Sequence, residues 1–234
     1  MKAVKFTLKG KTAFFKNPEV NSYFYFTYGN IHKPALLGVF GAILGYHGYE
    51  SQFDVYPEYY EKLKELKVAI IPNQAHGCFD KKVQRFNNSV GYASQEQGGN
   101  LIVKEQWLEN PSWTIYVLVN NDESQKLCEY LLERKAVYIP YLGKNDHPAT
   151  IENVNIVDLQ VNESQNIHID SLAKSDDFHF DFFRIQFKYE EYLPISLKES
   201  TNHYELAKMI LTDAIMIEGK EPVYTDGEKN VIFY

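Results

Sequence analysis

The chain opens on an alternation. In Val4-Lys5-Phe6-Thr7-Leu8-Lys9 apolar and polar residues trade places at every step. That predicts a half-buried strand, with Val4, Phe6 and Leu8 toward a core and Lys5, Thr7 and Lys9 outward. Residues 22–28 are aromatic and read as extended. After Lys33-Pro34 the chain is apolar on every side as far as Gly45. A buried helix is expected there, with Pro34 in its first turn, where a missing N–H costs nothing. Gly38, Gly41 and Gly45 recur on one face of it. Interior glycine costs up to about 1 kcal/mol against alanine, so close approach of another backbone is expected.

Residues 59–66 predict a short helix feeding a strand at 68–72. Residues 79–100 are polar, poor in aliphatics and long for a connection, which marks a functional or mobile insertion. Residues 101–108 and 114–119 read as strands joined by a turn. Asp122-x-x-Gln125 reads as a capping box for a helix to about Arg134, with Leu127, Tyr130 and Leu131 on its core face. Val137-Tyr138-Ile139 reads as a strand stopped by Pro140 and Gly143. Beyond it Val154, Ile156, Leu159 and Val161 alternate with polar residues, and so do Phe178, Phe180 and Phe182. Phe183, Ile185, Phe187 and Tyr189 continue in the opposite parity, predicting a bulge or bend at Phe182-Phe183. Asp226-Gly227 predicts the turn of a final hairpin. The chain is thus expected to be α+β. A ferredoxin-like (RRM-like) βαββαβ unit spans 1–148, with a hairpin insertion at about 79–100, and a smaller β-rich region follows over 149–234.

Composition narrows the classes. A length of 234 residues suffices for a sizeable core, and 15% aromatic residues spread along the chain exclude disorder for most of it. Two cysteines, Cys78 and Cys128, exclude a disulfide framework and suit a reducing cytosol. The longest apolar run, 35–46, is too short for a bilayer, and no secretory core follows Met1. A cytoplasmic protein without a membrane partner is expected. The net charge of −7 argues against a chain that coats nucleic acid throughout, but the charge is unevenly spread. Residues 1–48 carry six lysines against Glu19, a net +5; residues 49–150 carry −3 and residues 151–234 carry −9. Lys2, Lys5, Lys9, Lys11 and Lys16 precede every acid, so polyanion contact is the reading for the basic start. Protein contact or solubility is the reading for the acidic end.

Three pieces taken in order carry a resemblance. Lys5-Phe6-Thr7-Leu8-Lys9-Gly10, followed by Lys33-Pro34-Ala35-Leu36-Leu37-Gly38-Val39-Phe40-Gly41-Ala42-Ile43-Leu44-Gly45, resembles the start of the Cas five family of CRISPR-associated (RAMP) proteins, with its Gly-x-x-Gly-Ala-x-x-Gly helix. The stretch from Glu105-Gln106-Trp107 through Asn110-Pro111-Ser112-Trp113 to Val117 is similar to the family's strand–turn–strand. Pro140-Tyr141-Leu142-Gly143-Lys144 is similar to its Pro-x-Tyr-Leu-Gly segment, here without the intervening residue. The match spans about residues 4–150, and the type I-B branch is the most similar. The resemblance implies an RNA-binding subunit of the Cascade surveillance complex in antiviral defence, capping the 5′ handle of the CRISPR RNA. It implies contacts with the backbone subunit (Cas seven) and the large subunit (Cas eight), with target DNA met only indirectly. It also implies a hairpin thumb within 79–100, and no cofactor.

The expected RNA contacts follow from that. His32 and Lys33 sit at the start of the buried helix and add donors beside its free N–H groups and dipole, where a phosphate or a base edge fits. Lys9 and Lys11 belong to the basic start. Lys81, Lys82, Gln84, Arg85, Asn87 and Asn88 make the insertion rich in donors, with Phe86 and Tyr92 available to stack bases. Lys104 and Gln106 share a strand parity and read equally as an RNA face or as ordinary outward residues. Trp107 and Trp113 read as core or subunit contact. The alternative is a metal-independent endoribonuclease, since a related subunit cuts precursor RNA with a Tyr/Lys/His constellation. The corresponding region here, 104–116, holds no histidine, so a non-catalytic chain is expected; His32 with Lys33, or His47 with Tyr46, are the substitutes to weigh. Asp177-x-His179-x-Asp181 reads as an exposed acidic strand face rather than a metal site, and His76-Gly77-Cys78 reads as loop.

Overall fold

The alternating start forms strand β1 (Lys2–Lys9), whose apolar face sends Val4, Phe6 and Leu8 into the core. The computed structural model describes residues 1–20, 24–51, 53–89, 91, 95–164 and 166–234. Tyr92 and the first residues of the aromatic stretch expected at 22–28 lie outside them. After β1 come β2 (Thr12–Ala13), α1 (Lys33–Leu44), α2 (Glu58–Leu63), β3 (Val68–Pro72), β4 (Lys81–Asn87), β5 (Ile102–Glu109), β6 (Ser112–Leu118), α3 (Asp122–Leu132) and β7 (Thr150–Asp158). Strands β3, β6, β1 and β7 pair in that order into one antiparallel sheet. Helix α1 covers one face, where Phe40 meets Phe6 edge-on at 6.2 Å.

The three glycines of α1 serve three purposes. A Cβ on Gly41 would stand 2.5 Å from Tyr59 Cβ, so α2 could not approach past any side chain there. Gly45 ends the helix at φ +81, a left-handed cap that favours glycine, and its N–H donates to Gly41 O. Gly38 leaves room for a methyl instead: a built Cβ would make an ordinary contact with Tyr59 Cε2 at 3.9 Å.

Several expectations are corrected. Residues 137–139 are not a strand. Val137 and Tyr138 donate their N–H groups to the Ile43 and Ala42 carbonyls, satisfying the open end of α1. The fourth strand of the sheet is β7, from beyond residue 148. Strand β5 does not join that sheet; it pairs with β4 and β2 in a separate ribbon, so the hairpin runs on through residue 109. Local alternation marks a strand but does not name its partner. The cap of α3 is Asn121 with Ser124 rather than Asp122 with Gln125. Residues 182–187 form no strand.

The remaining strands are β8 (Gln160–Val161), β9 (Ala173–Lys174), β10 (Phe178–Asp181), β11 (Lys188–Leu197), β12 (Tyr204–Thr212), β13 (Ile215–Gly219), β14 (Tyr224–Thr225) and β15 (Asn230–Val231). β14 and β15 are the expected Asp-Gly hairpin, with Gly227 at φ +90. This hairpin folds back on the open face of the main sheet. Asp226 accepts from Lys5 Nζ at 2.8 Å and from the Tyr116 hydroxyl at 2.9 Å, while Val231 and Phe233 pack with Ala3 and Tyr116. Lys5 therefore faces a carboxylate rather than solvent. The chain is a mixed α/β structure, mostly strands with few helices.

Candidate nucleic-acid interface

The β4–β5 ribbon sorts the sequence-predicted donors by face. Arg85 lies opposite Lys104, Val83 opposite Gln106 and Asn87 opposite Ile102. Cross-strand partners share a face, so Arg85, Asn87, Lys104 and Gln106 stand together, with Lys81 on the same parity. Two cations directly opposite each other repel in an isolated ribbon. Arg85, Lys104, Lys81 and the nearby Lys11 have no carboxylate at ion-pair distance among the described residues. Asn88, also exposed, continues past the strand and donates its N–H to Leu101 O.

Lys82, Gln84 and Phe86 are on the opposite face. Lys82 is paired with Glu109 at 3.3 Å. Beside them Glu105 is buried, accepting from Trp107 Nε1 at 2.8 Å and from Lys144 Nζ at 3.0 and 3.1 Å. Lys144 also lies over the rings of Phe86 and Phe14. His147 packs edge-on against Trp107 at 4.6 Å with Nδ1 2.7 Å from Thr12 Oγ1, and burial pushes its pKa below the ordinary value. These contacts tie the ribbon to the Pro140–Pro148 segment. Trp113 is fully buried and donates to Asn30, as a core residue.

The start of α1 departs from expectation. His32 is 2% exposed and caps the helix by accepting from Ala35 N at 3.3 Å. Phe15, Tyr28 and Tyr204 surround its ring, and burial pushes its pKa down to about 3. Lys33 is 9% exposed and donates to the Tyr234 carbonyl at 3.2 Å. Its pKa falls to about 8, chiefly through burial, with Lys67 and Lys174 adding repulsion. Neither offers a free cation at the surface. Lys9 is likewise taken by Glu152 at 2.5 Å.

A feature that sequence reading missed lies along α1. An open cleft of about 980 Å³ is lined by Pro34, Ala35, Gly38 and Ala42 of α1. Tyr46, Tyr49, Tyr138, Tyr141, Lys16, Lys144 and His32 also line it. The signal available in the sequence was the small-residue face of the glycine helix together with 18 tyrosines. Among the described residues no group of three or more His, Cys, Asp or Glu side chains converges as metal ligands, and no helix is long and apolar enough to cross a membrane. Asp177 lies in a turn before β10 and pairs with Lys220; His179 and Asp181 are exposed.

The sequence matches no family model and no curated protein. Solved structures do share its fold. A chain of a CRISPR RNA-guided surveillance complex superposes with a TM-score of 0.56 at 13% identity, covering 94% of this chain and 91% of that one. A CRISPR protein from Archaeoglobus fulgidus gives 0.54 at 10% identity, covering 99% and 98%. A chain of a type III-B Cmr-beta complex bound to cognate target RNA and AMPPnP gives 0.50 at 10% identity, covering 92% and 86%. A main sheet of order β3-β6-β1-β7, a projecting ribbon and near-complete coverage in both directions lead to one statement: this chain has the fold of CRISPR-associated proteins.

Proposed function

We propose that this chain is a non-catalytic RNA-binding subunit of a type I CRISPR surveillance complex, of the Cas five kind, that grips the 5′ handle of the CRISPR RNA. The strand order, with α1 and α3 as crossovers, is read as a ferredoxin-like RAMP unit. The observation that carries the reading is the exposed face of the β4–β5 ribbon. Arg85 and Lys104 stand side by side there without a carboxylate partner among the described residues, next to Lys81, Asn87 and Gln106. Like charges held opposite each other on the β4–β5 ribbon suit a polyanion, since phosphates relieve their repulsion. The resemblance of residues 4–150 to the Cas five family and the fold shared with a surveillance-complex chain support the same reading, with the backbone and large subunits as neighbours and target DNA met indirectly. The type I-B assignment and a cytoplasmic site rest on the resemblance and on the cysteine usage.

The absence of catalysis is part of the proposal. Of the two pairs weighed as catalytic substitutes, His32 is buried with a depressed pKa and so is poor at exchanging protons with a ribose hydroxyl, while beside His47, which lies 3.5 Å from Glu50, the Tyr46 hydroxyl donates to Glu123 and accepts from Lys126. The test is binding of handle RNA against scrambled RNA by the assembled complex, together with incubation of the purified chain with precursor repeat RNA in EDTA. Preferential handle binding without discrete cleavage is expected. Equal binding of both RNAs defeats the handle assignment, and discrete cleavage defeats the non-catalytic one.

A further inference from the structure

One side chain at the foot of the β4–β5 ribbon is left short of a partner. His147 is 1% exposed, and its Nε2 is a buried nitrogen with no hydrogen-bond partner among the described residues. Nδ1 stands 2.7 Å from Thr12 Oγ1, and the ring lies edge-on to Trp107 at 4.6 Å. Thr12 and Trp107 belong to β2 and β5, which pair at Thr12–Glu109 and Ala13–Leu108. The segment that carries His147 belongs to the body of the molecule: it runs from the Val137–Tyr138 contact with α1 to the start of β7 in the main sheet. The imidazole therefore bridges ribbon and body. It does so on the face turned away from Arg85 and Lys104, since Trp107 lies opposite Lys82.

Protonation is what this pose does not accommodate. A neutral imidazole has one donor and one acceptor nitrogen, and a threonine hydroxyl satisfies either kind at Nδ1. An imidazolium carries N–H on both nitrogens, and the one on Nε2 would be a buried, charged donor without a partner. The surroundings do not compensate. On the same segment Asp146 and Lys144 oppose each other in sign, Glu105 of β5 is already engaged by Lys144 and Trp107 Nε1, and Lys82 of β4 adds positive charge. Thr12 of β2 does not titrate. No carboxylate lies at ion-pair distance from the ring among the described residues. Burial is the largest influence and holds the group below its ordinary value.

We propose that His147 is a proton-sensitive latch: neutral, it fixes the back of the β4–β5 ribbon to the 140–148 segment, and protonated, it leaves its site and frees the ribbon to swing while the body stays folded. The direction follows from linkage. A released imidazole regains a pKa of about 6.5, so below that pH the open form binds the extra proton. The ratio of open to closed ribbon then rises about tenfold per pH unit, until the latched ring also protonates. The latch governs where Arg85 and Lys104 are held. It operates without a ligand, so it stands or falls apart from the RNA-binding reading.

The test is acrylamide quenching of tryptophan fluorescence in the full chain, from about pH 7.5 down to about pH 4.5. The chain has two tryptophans, and Trp113 is fully buried in the core, so the Trp107→Phe variant supplies the background and the difference from wild type reports on Trp107. Quenching of Trp107 is expected to rise severalfold as the pH falls below about 6, with Trp113 quenching and far-UV circular dichroism unchanged. His147→Asn puts an amide in place of the imidazole and takes up no proton; its Trp107 quenching should be the same at every pH. Thr12→Val removes the hydroxyl beside Nδ1 and should move the transition to higher pH, which gives a second reading should His147→Asn fail to fold. Flat quenching in the wild type, an unaltered pH dependence in His147→Asn or no upward shift in Thr12→Val overturns the latch. So does exposure of Trp113 in step with Trp107, which marks global unfolding instead.

Discussion

His32 and Lys33 at the start of α1, and Arg85 and Lys104 on the β4–β5 ribbon, are the same kind of sequence signal: a basic pair beside donors. Their environments are opposite. The first pair is buried, stripped of water and hydrogen-bonded within the chain, so its charged forms are disfavoured. The second is exposed on the β4–β5 ribbon, where no carboxylate among the described residues pairs with it. A basic residue is a binding determinant only where the fold leaves its charge unspent. The same lesson holds for the amino-terminal lysines. Lys5 and Lys9 are spent on Asp226, Glu228 and Glu152 from the acidic part of the chain, whereas Lys11 is not.

The comparison can be broken in four ways. The largest effect is on folding in acid. His32 has a folded pKa near 3 against about 6.5 when unfolded, so between those values the unfolded chain binds the extra proton. Its contribution is whole above pH 6.5 and is lost as pH falls toward 3, at up to about 1.4 kcal/mol per pH unit. Urea unfolding across this window should show a shallower slope for His32→Asn; equal slopes would mean that the buried ring is charged. Asp226, held down to about 2 by Lys5 and backbone N–H groups despite its own burial, adds a further loss below about pH 4.

Next comes the helix itself. Gly41→Ala forces a methyl onto Tyr59 and should cost about 1–3 kcal/mol, whereas Gly38→Ala should stabilise by up to about 1 kcal/mol. Thermal melts that reverse this order would refute the assignment of Gly41 to close packing and of Gly38 to a position with room for a methyl. The third effect is on RNA. Changing Arg85 and Lys104 together to alanine should lower the log–log salt slope of RNA binding by about 1.4, at about 0.7 per phosphate contact, with unfolding free energy within about 0.5 kcal/mol of wild type. An unchanged slope removes the ribbon from the interface. The smallest effect separates neighbours: Lys81→Ala should reduce the slope more than Lys82→Ala, because Glu109 already holds Lys82. Equal reductions would show that Glu109 releases Lys82 to the RNA.

Much of the fold was legible. The alternation at 4–9, the apolar run after Pro34 and the Asp-Gly turn at 226–227 each contain the information for their own element, because strand, helix and turn are local periodicities or local dihedral requirements. Pairing was not legible. Strand β5 alternates as a core strand would, yet it pairs with β4 and β2; residues 137–139 are β-prone, yet they cap α1. At the site, the parity that joined Lys104 to Gln106 was readable, and so was the donor-rich stretch 81–88. The register that set Arg85 against Lys104 was not. The α1 cleft was invisible because its lining comes from segments scattered between Phe14 and Tyr204.

The sequence alone determined which stretches are strands, helices and turns, where basic residues concentrate, and that the chain resembles a CRISPR-associated family. Those properties follow from residue order within a few positions. Only the tertiary structure decided which lysines remain free, which face Arg85 shares, and that His32 is a buried cap accepting from Ala35 N. Burial and ion pairing depend on residues distant in sequence, as Lys5 meeting Asp226 and Lys33 meeting Tyr234 make plain. A side chain's charge therefore belongs to its neighbours in space as much as to its own chemistry.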